Sequence, residues 1–94
     1  MKVVIVTRHP ALVEYLHEIG IAPEGATVLT HASPADIEGT HVIGVLPLSL
    51  AALCSKVTEV PLALTPEMRG KELSLDEVRA IASAPVSYEV KVVT

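Results

Sequence analysis

Residues 3–16 read V-V-I-V-T-R-H-P-A-L-V-E-Y-L, and the change of pattern inside this stretch predicts the fold. Its first four residues are apolar and β-branched, which is typical of a strand buried on both faces of a parallel sheet. Pro10 suits the first position of a helix, where the N–H that proline lacks would have no partner. Leu12 and Leu16 then recur at helical spacing, and Gly20 is a typical helix end. The stretch therefore predicts a strand and a helix joined by a short polar turn.

The rest of the chain repeats this alternation of strands and helices. The further predicted strands are residues 26–30, 41–45, 57–64 and 86–92, the further predicted helices are residues 47–55 and 74–83, and residues 33–37 are predicted to form one helical turn. Pro61 weakens the fourth strand, because proline cannot donate to a ladder of backbone hydrogen bonds. We therefore expect one α/β domain over residues 1–94, with a Rossmann-like (CARF-like), mostly parallel five-stranded sheet and three helices.

Composition and charge exclude several classes of function. The net charge of -4 argues against binding to duplex nucleic acid, which needs many phosphate-neutralising cations. Cys54 is the only cysteine, so no intrachain disulfide can form, and the cytoplasm is the expected location. No signal-peptide pattern and no apolar run long enough for a bilayer are present, so we expect a soluble protein without a membrane partner. A small anionic ligand in a local basic pocket is compatible with this composition.

Candidate ligand residues, most of them polar, follow each of the first four predicted strands. In open parallel sheets, ligands bind beyond the carboxyl ends of the strands. The candidates are Thr7, Arg8 and His9 after the first strand, His31 after the second, Pro47 and Ser49 after the third, and Arg69 and Glu72 after the fourth. Their predicted convergence at one edge of the sheet indicates an anion site within an acidic chain.

The same residues also admit a structural interpretation. His9 is explained about equally well as the cap of the first helix. Residues 69–72 are explained equally well as a charged turn before the capping box formed by Ser74 and Glu77. The four histidines lack the spacing of a zinc site, and no G-x-G-x-x-G, P-loop or nucleophile elbow is present. We therefore expect neither a metal ion nor a cofactor.

Three short motifs resemble those of a known family. They are T-R-H-P at residues 7–10, V-I-G-V-L-P at residues 42–47 and R-G-K-E-L-S at residues 69–74. In this order they resemble a small CRISPR-associated family that accompanies type III systems and is similar to ring nucleases. Those enzymes degrade cyclic oligoadenylate second messengers. The chain departs from the family pattern at Ala11, where a glycine is usual, at Ala32-Ser33 after His31, and at residues 39–41.

The resemblance implies a homodimer that binds a cyclic oligoadenylate, most readily the tetra-adenylate, across its two-fold axis. It also implies metal-independent attack of a ribose 2′-hydroxyl on the adjacent phosphodiester, which leaves linear products with 2′,3′-cyclic phosphate ends. Arg8 suits the charge that grows on the phosphoryl oxygens, and His9 suits proton exchange near neutral pH. The residues expected to hold phosphate, ribose or base are Thr7, His31, Pro47, Ser49, Arg69 and Glu72.

Three other interpretations stay open at this point. The domain could bind the cyclic nucleotide without cleaving it, as a sensor or a sponge. An R-H pair after a first strand also occurs in histidine phosphatases, although those domains are larger and normally follow the pair with glycine. Finally, the chain could be an interaction module in which Arg8 and His9 form an ordinary polar turn.

Overall fold

The computed structural model describes residues 2–94, in which strands and helices alternate along the chain. The elements are β1 (Val3–Val6), α1 (Pro10–Glu18), β2 (Thr27–Leu29), α2 (Pro34–Ile37), β3 (His41–Gly44), α3 (Leu48–Ala51), β4 (Lys56–Glu59), α4 (Leu75–Ile81) and β5 (Val86–Tyr88), with a 3₁₀ turn at Pro66–Met68. The five strands form one sheet in the order β2-β1-β3-β4-β5. The protein is therefore of the α/β class, as the alternating pattern predicts. No helix in this part of the chain has the length and apolar character needed to cross a bilayer.

The sheet is mixed, and residues 2–94 contain four α-helices, so the expectation of a mostly parallel sheet with three helices is wrong. Strands β1 to β4 run parallel to one another, whereas β5 runs antiparallel to β4. The fourth helix is α2, for which the sequence predicts only a single helical turn. It is stabilised by a capping box in which the Ser33 N–H donates to Asp36 Oδ2 at 2.9 Å.

The direction of β5 follows from where α4 ends. The Ala63 N–H donates to the Ile81 carbonyl at 3.0 Å, and the Ser83 N–H donates to the Pro61 carbonyl at 2.8 Å. The end of α4 is thereby tied to the segment that follows β4, at the carboxyl end of that strand. A strand that starts there and pairs with β4 can only run back along it, so Val86 pairs with Glu59.

The core lies on both faces of the sheet, in two layers of side chains. Helices α1 and α4 cover one face, where the buried residues include Ile5, Leu12, Leu16, Ile43 and Val78. Helices α2 and α3 cover the other face, where the buried residues are Val4, Ile37, Val42, Ala51 and Val57. Neighbouring residues of β1 thus point to opposite layers, which explains its uninterrupted apolar sequence.

The strand order creates a crevice between β1 and β3. The chain leaves β1 towards β2 through α1 on one face, and leaves β3 towards β4 through α3 on the other face. In doubly wound α/β sheets, such a reversal of strand order marks the usual ligand-binding position at the carboxyl ends of the strands. Here that position is bounded by the loops after Val6 and Gly44.

Two elements near this crevice are shorter than their sequences predict. Strand β4 ends at Glu59 instead of residue 64, because Pro61 has no N–H to continue the ladder. Helix α3 contains only Leu48–Ala51, and Pro47 occupies its N-cap position instead of its first helical position. Both changes alter which side chains stand at the carboxyl edge of the sheet.

Candidate functional site

The β1–α1 turn, residues 7–9, lies at one wall of the crevice between β1 and β3. The Thr7 N–H donates to the Leu29 carbonyl at 3.0 Å and extends the pairing of β1 with β2 by one residue. The Thr7 hydroxyl oxygen accepts a hydrogen bond from the His9 N–H at 3.1 Å. The Thr7 side chain therefore fixes the bend of the turn from which Arg8 and His9 project.

His9 occupies the N-cap position of α1, but its ring is not used as a cap. Its side chain makes no capping hydrogen bond, and only its carbonyl joins the helix, by accepting from the Leu12 N–H at 3.0 Å. His9 is therefore the cap residue of α1, as the structural interpretation expects, but it caps the helix through its backbone and not through its ring. Because Pro10 has no N–H and the Leu12 N–H is already bonded, the first turn of α1 offers an anion few backbone donors. Attraction for an anion at this turn must come mainly from side chains.

Arg8 is the cation placed to supply that attraction. Its side chain is exposed, and within residues 2–94 it forms no salt bridge. Two other basic residues are differently engaged. Lys71 Nζ lies 2.9 Å from Glu77 Oε2, and Arg79 pairs with both Glu18 and Asp76. The guanidinium of Arg8 is thus a charged, multiply donating group beside the end of β1.

Two cavities flank the β1–α1 turn. The first, the β1–β3 cavity, has a volume of about 320 Å³ and lies over the crevice. It is lined by Thr7 and His9 from the turn, Gly44 and Val45 from the end of β3, Glu59 from the end of β4, and an apolar wall that includes Leu12, Leu62 and Leu64. The second has a volume of about 280 Å³ and lies towards β2, where Arg8, Val28 and Thr30 are among its walls. Thr7 and His9 line both cavities.

Gly44 lines the β1–β3 cavity and lies directly against β1. Its φ is +150°, and a Cβ built at this position would lie 2.3 Å from the Val6 carbonyl oxygen. Only glycine allows β1 and β3 to approach this closely and keeps the top of the crevice free of a side chain. From the sequence, Gly44 stood out only as part of the V-I-G-V-L-P motif, without this steric reason.

Glu59 is the site residue that the sequence prediction missed. The predicted fourth strand ran to residue 64, which placed Glu59 in its middle instead of at its end. The structure ends β4 at Glu59, and the residue lines the β1–β3 cavity. Pro61 was the available signal: a strand that stops before this proline places Glu59 at the carboxyl edge, where ligands bind.

The remaining predicted ligand residues do not line either cavity beside the β1–α1 turn. His31 is exposed in the loop after β2, next to Thr30, and Pro47 and Ser49 are exposed at the start of α3. Arg69 and Glu72 are exposed between the 3₁₀ turn and α4. Their loop approaches the start of α4, as the Lys71–Glu77 ion pair shows. The structure therefore groups Thr7, Arg8 and His9 but does not bring the other predicted residues to them.

His41 lies at the other end of β3 and has a structural role. Its Nε2 atom lies 2.7 Å from Thr58 Oγ1, which in turn lies 2.8 Å from Ser87 Oγ. These contacts join β3, β4 and β5 side by side. Burial lowers the pKa of His41, and the nearby charge of Lys56 lowers it further.

The arrangement at the β1–α1 turn suits phosphate chemistry. Arg8 provides positive charge and several N–H donors, and His9 provides an imidazole, the side chain most often used for proton transfer. Among residues 2–94, no group of three His, Cys, Asp or Glu side chains is arranged to hold a metal ion.

Comparison with known proteins assigns the chain to a family. The family model described as "Putative CRISPR-associated protein (Cas_VVA1548)" matches residues 4–91, which is nearly the whole chain. No curated protein and no solved structure matched the chain. The match includes the β1–α1 turn, Gly44 and Glu59. The chain belongs to the Cas_VVA1548 family of CRISPR-associated proteins.

Proposed function

We propose that this protein is a ring nuclease that degrades cyclic oligoadenylates, with cyclic tetra-adenylate as the preferred ring. The observation that carries the proposal is the position of Arg8 and His9 at the β1–α1 turn, where His9 lines both cavities and Arg8 lines the cavity towards β2. Membership of a CRISPR-associated family supports the choice of ligand, because the motifs of the chain resemble those of proteins that accompany type III systems. We also propose that the fold of the domain is Rossmann-like and CARF-like.

The proposed reaction needs no group beyond the ligand and the protein. The 2′-oxygen of one ribose attacks the adjacent phosphorus, and the bond from that phosphorus to the next 5′-oxygen breaks. The proton leaves the 2′-hydroxyl and a proton reaches the departing 5′-oxygen, so that the product has a 2′,3′-cyclic phosphate at one end and a 5′-hydroxyl at the other. Arg8 would stabilise the charge on the non-bridging oxygens, and His9 would carry one of the two protons.

The proposed ligand is much larger than one phosphate. It can therefore also contact the predicted ligand residues that lie away from the β1–α1 turn. In a homodimer with the ring across its two-fold axis, each β1–α1 turn would face one half of the ring. His31, Pro47 and Ser49 stand at the same edge of the sheet and would contact more distant sugars or phosphates. Arg69 and Glu72 are kept as proposed contacts of the ring, although they line neither cavity beside the β1–α1 turn.

A second candidate function is binding without cleavage. One observation favours it: within the described residues, neither the Arg8 nor the His9 side chain is held by a hydrogen bond. A general base is normally oriented by a third group, so a sponge or sensor needs less order at this turn than an enzyme does.

Incubation of the purified protein with cyclic tetra-adenylate or cyclic hexa-adenylate, each with excess chelator, tests the proposal. We expect linear fragments with 2′,3′-cyclic phosphate ends, identified by mass spectrometry. Recovery of intact ring after denaturation of a stable complex would support the sponge instead. Failure of both rings to bind would reject both functions, and loss of cleavage with chelator would reject the metal-independent route.

A further inference from the structure

A third cavity, here called the α3-side cavity, lies on the opposite face of the sheet from the β1–β3 cavity, next to α3. It has a volume of about 230 Å³, and its floor is formed by Ala51 and Val57 from the core layer under α3. Its rim exposes large apolar side chains: Val45 is 72% exposed, Leu48 is 75% exposed and Tyr88 is 49% exposed. Apolar groups concentrated around one concavity indicate a binding surface, in contrast to single exposed apolar residues.

Charge limits what this cavity can hold. Glu59 is its only acidic lining residue, and no lining residue is basic. Glu59 is half-buried and forms no salt bridge with another residue in the range 2–94. Its carboxylate would repel a phosphate and favour a hydrogen-bond donor. A mostly apolar group with an N–H donor suits this lining, and the small volume leaves no room for a helix of a partner protein.

The α3-side cavity is continuous with the site at the β1–α1 turn. Gly44, Val45 and Glu59 line both this cavity and the β1–β3 cavity. Val6 pairs with Gly44, and β4 follows as the next strand, so Glu59 lies two strands away from β1. This separation is roughly 10 Å at the usual spacing of strands. Because Gly44 has no side chain, a ligand can pass from one face of the sheet to the other over the carboxyl end of β3.

We propose that the α3-side cavity binds the purine base of a nucleotide whose phosphate lies at the β1–α1 turn. The base would stack on Tyr88 between the aliphatic walls, and its exocyclic amino group would donate to Glu59. This inference rests on the proposed function for the identity of the purine as adenine. The base would then lie beside Glu59 on the α3 side of the sheet, and the phosphate would lie beside Arg8, which lines the cavity towards β2.

Adenosine 5′-monophosphate tests the inference without any cleavage, because it carries one phosphate and one adenine base. Calorimetry with the full chain should show Tyr88→Ala binding on the order of tenfold more weakly than the wild type, because aromatic stacking of a base is lost. Tyr88→Phe keeps the ring and should bind as the wild type does. Val93→Ala removes an exposed apolar side chain outside the cavity and serves as the matched control.

Purine riboside 5′-monophosphate, which lacks the amino group, tests the role of Glu59. The wild type should prefer adenosine monophosphate over this analogue, and Glu59→Leu should abolish the preference. Equal binding of both nucleotides by the wild type, or unchanged binding by Tyr88→Ala, overturns the inference whether or not cyclic tetra-adenylate is cleaved. A second copy of the chain is the other possible occupant of this cavity, and sedimentation tests for it. If the wild type is a dimer, and if Leu48→Asp dissociates the dimer without changing the affinity for nucleotide, this face is a subunit interface and the inference is overturned.

Discussion

Arg8 and Arg79 show how differently two arginines of one small chain are engaged. Arg79 donates to Glu18 through Nε at 2.9 Å and to Asp76 through Nη1 at 2.8 Å, and these hydrogen bonds raise its pKa above the ordinary range of arginine. The donors of Arg79 are thereby used to tie α4 to α1. Arg8 has no such partner among the described residues and lines the cavity beside the β1–α1 turn towards β2. Its donors are available for a phosphate.

Replacement of Arg8 should therefore impair function without unfolding the protein. We expect Arg8→Ala to slow cleavage of cyclic tetra-adenylate by about a hundredfold or more, because a donor to the charged transition state is lost. Arg8→Lys keeps the charge but loses the planar fork, so an intermediate rate is expected. Single-turnover rates provide the measurement. Arg79→Ala is the matched control, and it should lower Tm while leaving the rate unchanged; equal loss in both variants would contradict the assignment.

His9 is expected to act on the rate rather than on affinity. His9→Ala should slow single-turnover cleavage by about a hundredfold if the imidazole carries a proton in the reaction. The Kd for the ring should change much less, because Arg8 supplies most of the attraction for phosphate. His17→Gln, a replacement on the far part of the same helix, provides the comparison. A variant of His9 that loses affinity but cleaves bound ring at the normal rate would show a binding role only.

Gly44 links the stability of the fold to the shape of the site. A Cβ at residue 44 would overlap the Val6 carbonyl oxygen, and the positive φ is itself unfavourable for alanine. Gly44→Ala should cost roughly 1–3 kcal/mol of stability, with a Tm lower by roughly 5–20 °C. Thermal unfolding followed by circular dichroism measures the loss. Gly25 has a positive φ of 82° but open space around it, so Gly25→Ala should lose less; an equal loss would mean that the close approach of β1 and β3 is unimportant.

Among the elements, those encoded by local pattern were predictable from sequence. The apolar β-branched run correctly predicted β1, and Ser74 with Glu77 correctly predicted the start of α4. There the Ser74 hydroxyl accepts the Glu77 N–H at 3.1 Å, and Glu77 Oε1 accepts the Ser74 N–H at 3.0 Å. The β1–α1 turn was found for the same reason, since its three polar residues are neighbours in sequence.

Features that depend on distant contacts were not predictable in this way. The direction of β5 is set by hydrogen bonds between residues 61–63 and residues 81–83, which no local pattern reports. The place of Glu59 at the site depends on the end of β4. The loop with Arg69 and Glu72 approaches α4 because Lys71 pairs with Glu77. The misplaced end of β4 therefore hides the position of Glu59, and the position of the loop with Arg69 and Glu72 explains why these two residues line neither cavity beside the β1–α1 turn.

The contacts between β3, β4 and β5 make the stability of the sheet depend on pH through His41. Burial lowers the folded-state pKa of His41 below its ordinary value of 6.5. Above that value both folded and unfolded states are neutral at this residue, and the stability is fully present. As the pH falls below it, the unfolded state takes up a proton that the folded state resists, so stability is lost.

We therefore expect Tm to fall between pH 7.5 and pH 5.5, and to fall less in His41→Gln. The carboxylates with lowered pKa, such as Asp36 and Glu77, lose their contribution only at more acidic pH, because their ordinary values lie near 4. Differential scanning calorimetry at the two pH values measures the change. An identical fall in the wild type and in His41→Gln would mean that another group is responsible.

At the scale of the whole molecule, the proposed binding of the ring across a two-fold axis requires two chains. The chain exposes 5763 Å² of surface, and a standard interface takes ~800 Å² from each partner, or about one seventh of that area. Such an interface leaves both β1–α1 turns accessible only if it lies beside the carboxyl edge of the sheet, and not over it. A ring across the two-fold axis would then meet one Arg8 from each subunit, and its binding would depend on both.

This dependence predicts the behaviour of a heterodimer that carries one Arg8→Ala subunit, purified through two different tags. If subunits act independently, the heterodimer keeps about half of the wild-type activity, because one of its two equivalent sites is intact. If the ring is held from both sides, the heterodimer should fall well below half at subsaturating ring and should also bind the ring more weakly. A heterodimer with one Arg79→Ala subunit controls for the exchange procedure and should match the wild type. Activity near half would argue that each chain of 94 residues cleaves its ligand alone, and a chain that sediments at 9.9 kDa with and without ring would lead to the same conclusion.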